Sequence, residues 1–580
     1  HVPPPEAIVD KVSIELAQGE HESVFFGVHN FSRRSDEGVE RTHSDALIDV
    51  WAEPTIDLDV KVYYRNMELH QLVYGNVIGR IDVGQTIGFW FTFKATHNTP
   101  TGTHVGKIIF VPANGPPTEL ELQVLVRPFV LHRARAAFAA YFTQSDDKYV
   151  GYRRRFAEDE VWRKAIYSNM AEYGMTSVDF SARDGVYNDT GELLPKSTRA
   201  AFDRELDLTI TCGLVDLHTP VVMHFQPPRD REMAPIFAQQ LNDLRASKGW
   251  PQFLHYLIDE PTYPRPDVRK RAIWWRGTPF KIVTSLNMAA AYGHGDVHDV
   301  WIVFGGQITP SLRSEAHRLG AEVWTYTYNI SNGQPLRNRY FAGLYTWAQR
   351  AGGNWIWAYY RNLFYNRLAW SHNSDNVMYP GVGYEMRREG IDDFRYIQML
   401  EDTIAAHSDD LIAIEADAWL QALRDRLGAV DPHNVVPGDP LSLTDYDVIR
   451  RKAAGYIERL GPAPPRNWRP WSESGLKDEA HPFRDKPLNQ CIAALASTDP
   501  SVRRSAALAL RELGAEAAPA VEALSRLLKD QEARIPAIRA LEAIGARASA
   551  AAANVAALLS DPDPFIRVAA AYALGAMGPI

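Results

Sequence analysis

Two adjacent carboxylates, Asp259 and Glu260, stand where an apolar run of the sequence, residues 253–258, comes to an end, and Pro261 follows them. Neighbouring acids at the end of a buried strand repel each other. This repulsion tends to split their pKa values, so that one stays charged while the other holds a proton near neutral pH. Such a pair suits acid catalysis of glycoside cleavage. The alternative is structural, because Asp-Glu-Pro is also typical of the start of a helix.

The run that precedes these acids belongs to a repeating pattern. Between residues 136 and 401, eight candidate strands alternate with segments that have apolar residues at helical spacing. This size and rhythm predict a (β/α)8 barrel whose fourth strand carries the two acids to the catalytic mouth. A doubly wound open sheet is the alternative, and the absence of a glycine-rich phosphate turn after the first strand counts against it. The predicted strands are 136–142, 176–180, 221–225, 253–258, 281–286, 299–304, 322–328 and 354–360.

The N-terminal part of the chain has the pattern of a β-sandwich. Runs that partly alternate apolar and polar residues are bounded by Gly, Pro, Asn or Asp, as are the short antiparallel strands of a sandwich. We predict no chemistry for this part. The predicted strands are 12–16, 23–28, 58–63, 87–93, 105–110 and 120–126.

The C-terminal part repeats, with glycines at 514, 545 and 578, so that the intervals are 31 and 33 residues. The pattern resembles HEAT-like repeats, in which paired helices stack to form one core. Three repeats are near the lower limit for stability, so we expect them to dock on the rest of the chain or to bind a protein partner. The predicted domains are a β-sandwich (1–130), a catalytic barrel (131–405), a helical extension with a Pro-rich linker (406–485) and HEAT-like repeats (486–580).

Composition and charge exclude several classes of protein. The chain is 46% hydrophobic and 23% charged, as globular proteins are, and its net charge of -9 gives no footprint for nucleic-acid binding. Its two cysteines, Cys212 and Cys491, allow neither a disulfide framework nor a CxxC metal site. No apolar run approaches the ~20 residues of a membrane span. Without HExxH, GxSxG or Walker motifs, we predict no metal and no cofactor.

Five strings of the sequence, taken in order, resemble glycoside hydrolase family 123 and its wider relatives. The resemblance covers roughly residues 8–405 and does not extend to the repeats. It implies a β-sandwich followed by a TIM-type barrel, and an exo-acting β-N-acetylgalactosaminidase. The five strings are Tyr256-Leu-Ile-Asp-Glu-Pro261, Asp299-Val-Trp-Ile-Val303, Val323-Trp-Thr-Tyr326, Gly353-Asn-Trp-Ile-Trp-Ala-Tyr359 and the segment 384–401.

The resemblance implies substrate-assisted retention, in which the acetamido oxygen of the sugar attacks the anomeric carbon and forms an oxazolinium intermediate. It assigns Asp259 to orient and polarise the acetamido N–H, and Glu260 to protonate the leaving oxygen and later activate water. Two alternatives stay open. A glycosidase for another sugar would use a separate carboxylate as nucleophile, about 5–5.5 Å from Glu260. A carbohydrate-binding or scaffold protein would have lost activity and would recruit a partner through the repeats.

Other residues near strand ends are candidates for binding a glycan or glycoconjugate. The 15 Trp and 25 Tyr offer flat surfaces with polar edges that suit sugar rings. We predict Trp357 in the wall around the acetamido methyl group and Tyr326 as a hydroxyl donor to the acetamido oxygen, with a core role as the alternative for each. Further candidates for substrate contact are Asn287, His224, Tyr328, Tyr359 and Arg361.

The sequence also departs from the family pattern. Where relatives carry an Arg two residues before the Glu of the last string, this chain has Gly383 before Tyr384-Glu385, which leaves the sugar specificity open. Glu385 and Arg388 are spaced to pair on a helix, which indicates a structural role. Asp179 and Asp296 are expected to be solvated or turn residues.

The chain begins at His1 rather than Met. We therefore expect that a preceding segment has been removed, either a signal peptide or a segment lost by design, and that the protein is secreted or periplasmic.

Overall fold

The computed structural model contains two sheets of a β-sandwich, an eight-stranded parallel barrel and a C-terminal stack of helices, which confirms the predicted fold class. The domain bounds themselves stay predictions. The structure describes residues 8–30, 46–66, 71–141, 160–182, 186, 188, 190–225, 233–327, 335–356, 381–428, 441–466, 482–483 and 486–579.

The sandwich consists of a five-stranded sheet in the order β1-β9-β8-β3-β6 and a four-stranded sheet in the order β2-β7-β4-β5. Leu16, Phe91 and Val124 are fully buried between the sheets. Five of the six predicted strands lie within β1, β2, β7, β8 and β9, and the predicted strand 58–63 starts one residue before β4. Strand β1 pairs with β9 in parallel rather than antiparallel. The strands are β1 (Lys11–Gln18), β2 (Glu20–His29), β3 (Leu47–Thr55), β4 (Asp59–Asn66), β5 (Gln71–Tyr74), β6 (Val77–Ile81), β7 (Thr86–Ala95), β8 (Gly102–Val111) and β9 (Thr118–Val130).

The barrel sheet runs in the order β10-β17-β16-β15-β14-β13-β12-β11, and all neighbouring strands are parallel. The gap between β10 and β11 is bridged just before β11, where the amides of Thr176 and Ser177 donate to Phe138 O at 2.9 and 3.1 Å. All eight predicted strands are present. They are β10 (Ala137–Ala140), β11 (Asp179–Ala182), β12 (Val221–Phe225), β13 (Phe253–Tyr256), β14 (Lys281–Leu286), β15 (Val300–Phe304), β16 (Glu322–Thr327) and β17 (Gly353–Ile356).

Helices follow most barrel strands, and their ends have recognisable signals. Helix α6 has Pro310 at its first position, the Thr309 side chain as N-cap, and a left-handed Gly320 at its C-terminus. Helix α7 continues through a π-helical turn (Phe341–Tyr345) to Ala348. The helices are α1 (Glu160–Glu172), α2 (Ala200–Thr211), α3 (Ala234–Lys248), α4 (Pro266–Trp275), α5 (Met288–His294), α6 (Pro310–Leu319) and α7 (Pro335–Tyr340).

Three longer helices, α8 (Val382–Ala406), α9 (Leu411–Gly428) and α10 (Leu443–Leu460), complete this part of the chain. Helix α8 is buried along most of its length, because it packs against α7, α9 and α10 and meets the sandwich at β2. The structure places the last string of the family resemblance on this helix.

The C-terminal helices share one hydrophobic core with the barrel. Ala291 of α5 and Leu312 of α6 are fully buried together with Leu541 and Phe565 of the C-terminal stack. The stack is therefore docked on the barrel. Its helices are α11 (Leu488–Ala494), α12 (Pro500–Leu513), α13 (Val521–Leu527), α14 (Arg534–Ile544), α15 (Ala552–Ala557) and α16 (Pro564–Met577).

One helical stretch among the described residues, 534–560, is long and apolar enough to cross a membrane by length and composition alone. It consists of α14, a 3-10 turn (Gly545–Ala551), α15 and a second short 3-10 turn. Because the core helices of globular proteins pass the same test, this stretch is weak evidence for a span.

Candidate active site

Asp259 and Glu260 lie on a bend just after β13, and both are exposed to solvent. The strand ends at Tyr256, two residues earlier than the apolar run suggests. Helix α4 begins only at Pro266, with Arg265 as its N-cap residue. The two acids are therefore not part of a helix start, and they occupy the loop at the carboxyl end of a barrel strand.

Asp259 is held by a tyrosine from the end of its own strand. The hydroxyl of Tyr256 donates to Asp259 Oδ1 at 2.6 Å, and Ser285 Oγ of β14 lies 2.8 Å from the same phenol oxygen. Tyr141, which follows β10, extends the network with its hydroxyl 3.0 Å from Ser285 Oγ. Burial, with Tyr141 and Asp259 nearby, raises the pKa of Tyr256 well above its ordinary value. Tyr256 therefore stays protonated and available as a donor to Asp259.

Glu260 is held from another strand, because the hydroxyl of Tyr326 on β16 donates to Glu260 Oε1. Its φ of 37° lies in the left-handed region, where a residue with a side chain is strained. Such strain persists only where the surrounding structure determines the conformation. Two tyrosines from different strands thus hold the two acids, one each.

His224 and Asp179 form a pair beside this network. His224 Nε2 lies 3.2 Å from Asp179 Oδ2, and Asp179 is fully buried. The His224 ring is 4.6 Å from the ring of Tyr256, which in turn contacts Asp259. The expectation that Asp179 is solvated is wrong, because parallel pairing of β11 with β12 brings it against His224. Because the two residues meet only through the register of β11 with β12, no local pattern in the sequence predicts the pair.

Asn287 follows β14 and acts as the N-cap of α5, with its Oδ1 accepting from Ala290 N at 2.9 Å. Its side chain is exposed, and its contact with sugar stays a prediction. Of the other predicted substrate contacts, Trp357, Tyr328, Tyr359 and Arg361 lie outside the described residues.

Large aromatic side chains fill the barrel interior below the acids. Trp324 of β16 and Trp355 of β17 are fully buried and stack with their ring centroids 6.1 Å apart. Tyr141 packs 5.0 Å from Trp355, and Tyr256 and Tyr326 belong to the same interior cluster. This packed interior supports the tyrosines that reach the acids.

Three further residues considered in the sequence, Glu385, Arg388 and Asp296, form ion pairs. Arg388 Nε lies 3.2 Å from Glu385 Oε2 within α8, which confirms their predicted pairing, and both side chains are buried. Asp296 lies in a 3-10 turn (Gly295–Val297), as expected for a turn residue, and its Oδ1 also pairs with Arg269 Nη2 at 2.6 Å. Among the described residues, no group of three or more His, Cys, Asp or Glu side chains could hold a metal ion.

Comparison with solved structures shows a shared fold. The chain is similar to a family 123 glycoside hydrolase from Clostridium perfringens, described in work on glycolipid glycan hydrolysis, with a TM-score of 0.51 and 11% identity over 78% of this chain and 93% of that one. The resemblance to family 123 read from the sequence is thus confirmed at the level of the fold.

Other solved structures are less similar. They include a GH5 xyloglucanase from Bacteroides ovatus (TM-score 0.25, 9% identity, covering 67% of this chain and 99% of that one). An endo-β-1,4-xylanase of family 10 from Gloeophyllum trabeum has a TM-score of 0.28 and 12% identity, covering 46% of this chain and 99% of that one.

The sequence was also compared with family models and with curated protein sequences. The family model for the HEAT repeat matches residues 554–580, in agreement with the repeats predicted at the C-terminus. No curated protein sequence matches the chain.

Proposed function

We propose that this chain is a glycoside hydrolase that removes a terminal β-linked N-acetylhexosamine, N-acetylgalactosamine in the first instance, by substrate-assisted retaining hydrolysis. One observation carries the proposal. Asp259 and Glu260 lie together on the loop after the fourth barrel strand, and each accepts a hydrogen bond from a tyrosine of the barrel. The shared fold with a family 123 glycoside hydrolase supports it.

In the first step the acetamido oxygen of the bound sugar attacks the anomeric carbon, and the bond from that carbon to the leaving oxygen breaks. Glu260 gives its proton to the leaving oxygen as general acid. Asp259 accepts a hydrogen bond from the acetamido N–H and stabilises the positive charge that develops as the oxazolinium ring forms. No bond to the enzyme is made.

In the second step Glu260, now a carboxylate, takes a proton from water, and the water oxygen attacks the anomeric carbon from the face that the leaving group vacated. The bond from the acetamido oxygen to the anomeric carbon breaks, and the acetamide is restored. Two inversions at one carbon give net retention of configuration.

The tyrosines supply positioning in this scheme. Tyr256 holds one oxygen of Asp259, so that the other can face the acetamido N–H. Tyr326 donates to Glu260 in the free protein, and with sugar bound its hydroxyl donates to the acetamido oxygen instead. His224, which pairs with Asp179, packs against the ring of Tyr256 and is also a candidate for binding a sugar hydroxyl.

The proposal is tested by neutral amide substitutions. Glu260→Gln and Asp259→Asn should each keep the fold and lower kcat on an aryl β-N-acetylgalactosaminide by about 10²-fold or more, the usual contribution of a general acid or base. Asp267→Asn is the matched control. It removes a partly exposed carboxylate eight residues after Asp259 that pairs with Arg265, and should leave turnover unchanged. Unchanged turnover in Glu260→Gln would remove Glu260 from the mechanism.

Substrate-assisted hydrolysis can be distinguished from hydrolysis through an enzyme nucleophile with a fluorosugar, which traps a covalent glycosyl-enzyme intermediate where one forms. Substrate-assisted hydrolysis predicts no labelled protein by mass spectrometry, together with inhibition by a thiazoline analogue of the sugar. A labelled carboxylate would instead establish the glycosidase that uses a separate nucleophile. Binding on a glycan array without hydrolysis of any hit would favour a non-catalytic carbohydrate-binding protein.

A further inference from the structure

The loop that carries the two acids reaches the C-terminal helices three residues after Glu260. The hydroxyl of Tyr263 donates to Glu542 Oε1 at 2.9 Å, and Glu542 belongs to α14. Its other oxygen, Oε2, accepts from the hydroxyl of Tyr292 on α5 at 2.5 Å. The backbone oxygen of Tyr263 accepts from the hydroxyl of Tyr572 on α16 at 3.1 Å. We call Tyr263, Glu542 and Tyr572 the Tyr263 anchor.

Packing restrains the Tyr263 ring as well. Its centroid lies 4.9 Å from the ring of Tyr572 and 5.1 Å from that of His294. A Cβ atom at Gly293 would come within 2.0 Å of the Tyr263 ring, so the ring lies directly on the backbone of α5. The loop is therefore wedged between a barrel helix and the last helix of the stack.

The anchor is close enough to Glu260 to determine its position. Only Pro261 and Thr262 separate Glu260 from Tyr263, and Pro261 has a fixed φ. Glu260 itself has a φ of 37°, a conformation that must be held by its surroundings. Upstream, the hydrogen bond from Tyr256 to Asp259 holds the loop. The Tyr263 anchor holds its downstream side.

We propose that the C-terminal repeats position the acid-bearing loop, and that Glu542 is a positioning residue that acts on Glu260 through Tyr263. The inference rests on the proposed function for the role of Glu260. A carboxylate acceptor makes a stronger hydrogen bond than a neutral one, which suits it to holding a loop. A misplacement of a reacting group by about 1 Å can lower a rate by about 10²-fold. Loss of the anchor should therefore affect turnover although Glu542 touches no substrate.

The chain offers a matched pair of variants for the test. Tyr263→Phe and Tyr292→Phe each remove one phenol donor to the same carboxylate and keep the ring, but only Tyr263 belongs to the loop. We expect Tyr263→Phe to speed hydrogen exchange of the amides in residues 259–265 and to lower kcat on an aryl β-N-acetylgalactosaminide about ten-fold with little change in KM. Tyr292→Phe should leave both measurements as in the wild type.

Glu542 is tested in the same full-length chain. Glu542→Ala should reproduce the loop exchange and the kcat loss of Tyr263→Phe, whereas Glu542→Gln, which keeps an oxygen acceptor for Tyr263, should restore most of the activity. The inference is overturned if Tyr263→Phe and Tyr292→Phe behave alike, or if neither changes exchange in the loop. If Glu542→Ala does not fold, the comparison of Tyr263→Phe with Tyr292→Phe still decides the inference.

Hydrogen exchange in the loop and kcat together distinguish this inference from the proposed function. If the wild-type chain hydrolyses no N-acetylhexosaminide but Tyr263→Phe alone speeds exchange in the loop, then the proposed function fails and the positioning by the repeats stands. If the wild type is active but neither loop exchange nor kcat separates the two tyrosine variants, then the positioning fails and the proposed function stands.

Discussion

At the scale of single residues, the candidate site depends on phenol groups as much as on the acids. Tyr256 and Tyr326 approach the acids from strands that are far apart in sequence, and each meets a different carboxylate. Because Tyr256 is buried and its pKa is raised well above the ordinary value, its donor role holds across the pH range in which enzymes are assayed. One oxygen of the solvent-exposed Asp259 carboxylate is therefore held by a side chain of the barrel.

Tyr256→Phe tests this dependence. The substitution removes the 2.6 Å bond to Asp259 but keeps the ring in the interior cluster. Hydrogen bonds to charged groups are worth about 1.5–3 kcal/mol, so kcat should fall by about ten-fold or more if the bond is needed in the transition state. Tyr141→Phe is the control, since it removes another buried hydroxyl of the network, one that bonds Ser285. Steady-state kinetics showing equal losses in both variants would contradict a specific role for Tyr256.

At the scale of elements, a buried charge cluster joins β2 of the sandwich to α8 and α10. Arg450 of α10 lies 2.8 Å from Asp393 and 3.1 Å from Glu389, both on α8, and it contacts Glu20 and Glu22 of β2. Burial raises the pKa of Glu20 to about 7, and Arg450 offsets only part of this effect. Burial, with Glu389 nearby, also raises the pKa of Glu22 well above its ordinary value.

This cluster predicts a pH dependence of stability. Because the pKa of Glu20 in the folded state lies above its ordinary value of 4.5, the folded chain binds more protons than the unfolded chain between about pH 4.5 and pH 7. The contribution of Glu20 to stability is therefore present below that window and is lost as the pH rises through it. Buried histidines such as His255, whose pKa burial lowers to about 3, act in the opposite direction, so a difference between variants is the clean measure.

We compare the unfolding free energy of Glu20→Gln with that of the wild type at each pH. This difference should favour the variant more at pH 8 than at pH 5, by on the order of 3 kcal/mol, because the amide cannot lose a proton. Urea unfolding at the two pH values measures this difference. Glu119→Gln, which changes an exposed glutamate of β9 paired with Lys107, should give the same stability change at both pH values. A pH-independent effect of Glu20→Gln would show that Glu20 is already ionised in the folded state at pH 5.

At the scale of the whole molecule, the repeats and the barrel share one hydrophobic core. Their joint core contains Ala291, Leu312, Leu541 and Phe565, and a buried ion pair crosses the same junction. Arg539 of α14 pairs with Glu315 of α6, and it donates to Tyr292 O at 2.5 Å. Burial alone would raise the pKa of Glu315, but Arg318 and Arg539 outweigh it and lower the pKa to about 2.

Arg539→Met should destabilise the full-length chain by about 2 kcal/mol in chemical unfolding. This is less than the ~3–5 kcal/mol typical when a buried charge loses its partner, because Arg318 still pairs with Glu315. Arg526→Met is matched to it, since Arg526 and Glu522 form an exposed pair of the repeats, and such pairs contribute about 0–1 kcal/mol. Equal stabilities of the two variants would mean that the junction adds little to the fold.

The sequence predicted elements best where local chemistry defines them. Strands β12 and β14 have the predicted bounds, because their apolar runs are short and end at clear signals such as Asn287, which caps the next helix. Strand β11 begins three residues late, because Thr176 and Ser177 use their backbone amides to bridge to Phe138 of β10. A run of residues that favour a strand does not show which neighbouring strand its backbone groups will bond.

The sequence by itself determined the alternation of strands and helices, the pair of acids after the fourth barrel strand and the period of the repeats, because apolar spacing and turn residues are local properties. Only the tertiary structure decided which side chains meet those acids. The Asp179–His224 pair depends on the parallel pairing of β11 with β12, and the bond from Tyr263 to Glu542 joins residues 279 positions apart. Such contacts follow from strand register and from the packing of distant helices, which no short stretch of sequence encodes.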